Sequence, residues 1–166
     1  MRLELYYRVP SGDIENHIGT GWLAGKSMVM TAGHIAYSQE YGMLLAVEVS
    51  VAYDLGSPLK RRGTHISVHR GWYTSFQDQY DIACIRLSDP FTEESPMPLC
   101  VSAWHNRKSM SVAGYSEDKN NGERMYYASR PLEWYDSRPY HLLLHDMDTE
   151  GGTFSAITPM LSSSFD

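Results

Sequence analysis

Cysteine is scarce in this chain: Cys84 and Cys100 are the only two among 166 residues. A single pair cannot supply a disulfide framework and rules out a zinc centre of the four-cysteine kind, while the redox compartment stays open. Long apolar runs are missing too. No stretch approaches the roughly 18 residues of a membrane helix, and the opening MRLELYYRVPSGD has no apolar core of the roughly 7–15 residues that a signal peptide carries. The chain therefore reads as soluble, with no membrane contact and no address from which to infer a compartment. Basic residues are outnumbered, 14 Lys and Arg against 20 Asp and Glu, for a formal charge of −6. Apart from the run Lys60, Arg61, Arg62 they are scattered, which argues against a nucleic-acid surface. Internal repeats, low-complexity tracts and phosphate-binding glycine motifs are all absent, so no cofactor is expected.

What is present is a globular composition, 42% apolar and 20% charged, long enough for one sizeable core. Short alternating segments dominate, broken by Gly, Pro, Asn or Asp, and a sustained helical period is almost nowhere to be found. The pattern predicts an all-β protein with strands over Leu3 to Val9, Gly21 to Ala24, Ser27 to Ala32, Leu44 to Tyr53, His65 to His69, Ile82 to Leu87, Ser109 to Tyr115, Glu123 to Ser129 and His141 to Asp148. Asp89 to Pro98, rich in proline and acids, reads as an exposed connection near the middle.

Three stretches carry more than strand propensity. In the first, Gly19-Thr20-Gly21-Trp22-Leu23 precedes Met28-Val29-Met30-Thr31-Ala32-Gly33-His34, an apolar strand ending in small residues and then a histidine. Small residues let backbones approach closely at a strand end, so an imidazole can project into a cleft, where a neutral ring serves as general base. The second stretch, Tyr80-Asp81-Ile82-Ala83-Cys84-Ile85-Arg86-Leu87, sets an acid before an apolar strand. The third comprises Ser111-Val112-Ala113-Gly114-Tyr115 with Asp118-Lys119, then Met125-Tyr126-Tyr127-Ala128-Ser129, then Asp148-Thr149-Glu150-Gly151-Gly152.

Together these resemble the trypsin-like serine proteases of the chymotrypsin fold, closest to the glutamyl endopeptidase branch: a T-A-G-H box, a D-I-A-L-I-R-L segment, and the V-x-G-Y-P-x-D-K and D-T-x-G-G-x-S-G-S-P patterns. The resemblance runs over residues 3–152, in the order His, Asp, Ser. It implies two six-stranded Greek-key antiparallel β-barrels in a single peptidase domain, about 1–90 for the first and about 99–166 for the second. It also implies a serine endopeptidase acting on polypeptide through an acyl-enzyme, with His34 as base, Asp81 as its orienting carboxylate, and Thr149 lining a pocket for glutamate.

The pattern then breaks. Aligned without a gap, the nucleophile position falls on Phe154, and Ser155, Ala156 and Ile157 stand where glycine, serine and proline should follow. A slip of one residue would bring Ser155 to His34, but the second oxyanion donor would then come from Thr153 instead of Gly152, and a β-branched residue suits that close approach badly. Thr153 is itself a weaker candidate nucleophile. Only 12 residues follow Phe154, whereas the family continues for several strands, so the second barrel is expected to be incomplete. One event just after Gly152, such as a frameshift or truncation, would account for both departures. The rival expectation is an inactive homologue that binds a peptide or protein ligand through the old cleft. Members of the family are usually secreted.

Two further groups stand largely outside these motifs. His141, His145, Asp146 and Asp148 are read as strand residues and not as a metal site, because strand positions four apart lie roughly 13 Å apart. The aromatics Trp72, Tyr73, Trp104, Tyr126, Tyr127, Trp134 and Tyr135 are read as barrel core and rim.

Overall fold

The computed structural model describes residues 1–51, 58–97, 109–131 and 156–159. Eight strands form the first sheet: β1 (Arg2–Arg8), β2 (Ile14–Thr20), β3 (Trp22–Gly25), β4 (Met28–Thr31), β5 (Tyr37–Ser38), β6 (Gly42–Val51), β7 (Leu59–Val68) and β8 (Ala83–Leu87). Two short helices, α1 (Gly33–Ala36) and α2 (Arg70–Ser75), are set between them. The strand order is β2-β1-β6-β7-β8-β4-β3, with β5 paired to β6 and every pairing antiparallel. Because β2 and β3 are successive parts of one ribbon bent at Gly21, the chain itself joins the two edges of the sheet, which curls back on itself. The bend is tied to the N-terminus, with Met1 N donating to the Gly21 carbonyl at 2.8 Å and Gly21 N–H donating to the Met1 carbonyl at 3.1 Å. If the bent ribbon is counted once and the two-residue β5 is set aside, this is the six-stranded barrel that the resemblance implies.

Alternate residues on each strand face inward, as a pleat requires. Leu3, Leu5 and Tyr7 on β1, Val47, Val49 and Val51 on β6, and Ile85 and Leu87 on β8 are all buried and form one cluster with Leu23, Val29, Ile35 and Phe91. Non-polar burial on this scale, at roughly 25 cal/mol per Å², holds the first barrel together.

The second sheet has three strands among the described residues: β9 (Ser109–Tyr115), β10 (Met125–Pro131) and β11 (Ala156–Pro159), ordered β10-β9-β11. It docks on the first through the end of β2 and the start of β1 beside it. Tyr115 N–H donates to Thr20 Oγ1 at 2.8 Å, and Arg2 Nε donates to the Gly122 carbonyl at 2.8 Å.

The expected strands recur with shifted ends, and the differences have causes. β2 lacks alternation in sequence because it is half solvated: Ile14, Glu15 and Asn16 are exposed, while its full seven-residue register with β1 makes it a strand. β7 begins six residues before the expected His65, at Leu59, because its basic run pairs with β6, Lys60 opposite Ser50 and Arg62 opposite Glu48. Glu4 and Glu48 face each other across β1 and β6, an unfavourable pair. Lys60 offsets it by contacting Glu48 and lying 3.8 Å from Glu4. β10 starts at Met125 and not at Glu123, because residues Asn120–Gly122 form a 3-10 turn capped by Glu123. The two helices are too short to leave a period. Residues 52 and 53 and the strand expected over His141 to Asp148 lie outside the described residues.

Candidate active site

His34 and Asp81 are 47 positions apart in sequence and are delivered to one place by neighbouring strands. β4 and β8 pair antiparallel, with Thr31 opposite Ala83. The end of β4 therefore leads through Ala32 and Gly33 to His34 beside the segment that leads into β8. His34 Nδ1 lies 2.6 Å from Asp81 Oδ2, and the backbone N–H of His34 donates to Asp81 Oδ1 at 2.7 Å. Both carboxylate oxygens are thus engaged by one residue, which fixes the carboxylate plane and the ring together. With Nδ1–H donated to the carboxylate, the lone pair lies on Nε2, the atom a general base needs. The two side chains are 29% and 24% exposed, and Nε2 itself is screened from solvent.

The small residues of the first motif have a specific role here. A Cβ on Gly33 would stand 2.9 Å from Trp72 Cγ, 3.0 Å from Asp81 Oδ1 and 3.0 Å from Ile82 N. Only glycine lets the chain pass between the carboxylate and the indole. Thr31, just upstream, is anchored by its hydroxyl, which donates to the Thr20 carbonyl at 2.8 Å.

Asp81 is held by a support that the sequence did not single out. It ends the 3-10 turn Asp78–Tyr80, with its N–H donating to the Asp78 carbonyl at 3.0 Å. Tyr80 stacks on His69 with rings 5.0 Å apart and 8° from parallel. His69 caps α2 by accepting from Gly71 N–H at 3.0 Å. A Cβ on Gly71 would stand 2.5 Å from the Tyr80 ring, so glycine is needed there as well. Trp72, one residue on, is buried and meets His34 edge to face at 6.0 Å; its Nε1 donates to the Tyr37 carbonyl at 2.9 Å. The core role expected of Trp72 holds, and the structure adds that it backs the histidine. Tyr73, Tyr126 and Tyr127 lie at the exposed rim. The signal that could have found the support is the Gly-Trp pair after a strand, eight residues before Tyr80-Asp81.

Of the residues expected to complete the site, Thr149, Gly152, Thr153, Phe154 and Ser155 lie outside the described residues, as do Cys100, Trp104, Trp134, Tyr135, His141, His145, Asp146 and Asp148. β11 begins at Ala156, directly after Ser155, and pairs Ala156 with Ala113 on β9.

A curled antiparallel barrel that presents a carboxylate-bound histidine beside a second sheet is an architecture of β-barrel hydrolases. A family model described as Trypsin matches residues 5–134, most of the chain, and the protein belongs to that family. Its fold is that of the trypsin-like serine proteases, and at the level of the family it is a peptidase. Among solved structures, Glu endopeptidase in complex with MPD is 18% identical with a TM-score of 0.75, the match covering 95% of this chain and 73% of the other. Protease Anisep from Arthrobacter nicotinovorans is 19% identical with a TM-score of 0.70, covering 98% and 78%. The scabies mite inactivated protease paralogue S-I1 is 15% identical with a TM-score of 0.60, covering 95% and 77%. At these identities the likeness is one of fold. No curated relative matches the chain by sequence.

Proposed function

We propose that the protein is a serine endopeptidase, a single domain whose halves are residues of about 1–90 and 99–166, with His34 as general base, Asp81 as its orienting carboxylate and Ser155 as nucleophile. The observation that carries this reading is the two-point hold of Asp81 on His34, which leaves Nε2 as the proton acceptor. In the reaction, His34 Nε2 takes the Ser155 hydroxyl proton as Oγ bonds to the scissile carbonyl carbon. The C–N bond then breaks as the proton passes to the leaving amine, and water repeats the sequence to release the acid. The N–H groups of Ser155 and Thr153 would face the developing oxyanion. With Gly152 displaced from that role, a rate penalty of about 100- to 1,000-fold is expected if one donor is misplaced. Thr149 would line the pocket for the substrate side chain, a glutamate on the strength of the resemblance.

A specific observation favours a second reading, an inactive homologue binding peptide in the cleft: Phe154 occupies the motif's nucleophile position, and phenylalanine has no atom that attacks a carbonyl. Labelling with a fluorophosphonate probe, which reports an activated serine without a known substrate, separates the two. Labelling that disappears in both His34→Ala and Ser155→Ala establishes the enzyme. A folded wild-type chain that takes up no probe overturns it in favour of the binding module.

A further inference from the structure

The strands that deliver His34 and Asp81 also build a second feature on their outer face. On β8 the inward residues Ala83, Ile85 and Leu87 alternate with Cys84 and Arg86, which point outward. On β7, His65 lies opposite Arg86 and Ser67 opposite Cys84, and on β4, Met28 lies on the other side of Arg86. These side chains and Lys26, in the turn between β3 and β4, line an open groove of about 560 Å³. Two full cations and an imidazole face it, and no carboxylate is among its lining residues, on a chain that carries six more acids than bases. Lys26, His65 and Arg86 are all exposed. A concave surface of one sign on a protein of the opposite sign concentrates oppositely charged ligands.

Lys26 is held at the rim by the chain itself. Lys26 Nζ donates to the carbonyls of Thr92 at 2.6 Å and Glu94 at 3.3 Å, and the Lys26 carbonyl accepts from Phe91 N–H at 2.8 Å. The ammonium is thus fixed in place at the groove's edge by the chain's own backbone. Arg86 extends the positive surface beyond it, and the His65 ring adds an N–H donor.

We propose that this groove is a docking site for an acidic segment of a polypeptide ligand, with Arg86, His65 and Lys26 receiving its carboxylates. The site is separate from the catalytic one. Arg86 lies three residues of strand, about 10 Å at the rise of an extended chain, from the end of β8 that leads to Asp81, and the outward Cys84 is the lining residue nearest that end. It goes beyond the peptidase reading and stands without turnover.

The test uses a fluorescein-labelled peptide of consecutive glutamates and its glutamine counterpart, titrated against the full chain by anisotropy at low and at physiological salt. The expected result is saturable binding of the glutamate peptide alone, weakening as salt rises, and about tenfold weaker in Arg86→Glu combined with His65→Gln. Both substitutions are on exposed outward side chains, so thermal unfolding should match the wild type. Cys84 supplies a positional readout, because a bound peptide should slow its alkylation by iodoacetamide several-fold, followed by mass spectrometry of the Cys84 peptide. Equal binding of the glutamine peptide, unchanged affinity in the folded double variant, or unslowed alkylation of Cys84 at saturation would overturn the proposal.

Discussion

The sharpest consequence of the site's geometry concerns Gly33. Replacing it with alanine adds one methyl group, and that carbon would lie 2.9 Å from Trp72 Cγ, 3.0 Å from Asp81 Oδ1 and 3.0 Å from Ile82 N. None of the three can yield cheaply. The indole is buried and tied through Nε1 to the Tyr37 carbonyl, Ile82 N is main chain, and Oδ1 is the acceptor for His34 N–H at 2.7 Å. Overpacking of this sort costs about 1–3 kcal/mol. For a chain of this size each kcal/mol lowers Tm by about 2–4 °C, so the loss should fall between about 2 and 12 °C. If the carboxylate is the group that moves, the Nδ1–H proton shared with Asp81 should also shift or vanish from the downfield end of the proton NMR spectrum. Gly25→Ala is the matched control, because a Cβ there meets only Met28 Cβ at 3.7 Å, and alanine in a strand is neutral to slightly stabilising. A Gly33→Ala protein that melts with the wild type and keeps the downfield resonance would refute the claim that glycine is required for close approach.

Two other outcomes follow from the packing and the charges. Trp72→Ala removes a buried indole that backs His34, and should cost about 3–5 kcal/mol as measured by urea unfolding, with the His34 resonance displaced even where the variant remains folded. The Glu4 carboxyl is pushed upward by its partial burial, but the hydrogen bond from Asn16 and the charges of Arg2 and Lys60 outweigh this and hold it below the usual carboxylate range. A group depressed in the folded state stabilises above its unfolded pKa and loses that contribution as pH falls through the folded value. Glu4→Gln should therefore lower stability at pH 7 and narrow the gap from wild type under acid, and a gap that stayed constant between the two would contradict the assignment.

Much of the fold was legible because the apolar residues of its core strands largely keep a period of two. Leu3, Leu5 and Tyr7, or Ala83, Ile85 and Leu87, announce an inward face in sequence and occupy one in space. The edge was less legible. β2 carries Glu15, Asn16 and His17 on seven residues, and what makes it a strand is pairing with β1, information that resides in another segment. Only the first half of β7 was hidden, since the basic run Lys60, Arg61 and Arg62 shows its place in a strand only when Glu4 and Glu48 appear beside it. At the site, His34 and Asp81 were visible because each sits at the end of an apolar strand with a distinctive flank. Their support was not visible, because the stack of Tyr80 on His69 and the contact of Trp72 with His34 are long-range matters of shape, on which local propensity is silent.

The way the pair is built also separates the architecture from the chemistry. Asp81 accepts from both the backbone and the ring of His34, and its own position is set by the Asp78–Tyr80 turn, the His69 stack and α2. Every one of these groups belongs to the first barrel. None needs a nucleophile in place, so the histidine is oriented by the first barrel alone. If Ser155 is the nucleophile proposed above, its hydroxyl is expected to contribute on the order of 1 kcal/mol at most to stability. Ser155→Ala should therefore melt close to the wild type whether or not the protein turns over, whereas Asp81→Ala, which strips acceptors from two donors at once, should not. Stability measurements report on the framework. Only a probe that forms a bond to an activated serine reports on the reaction.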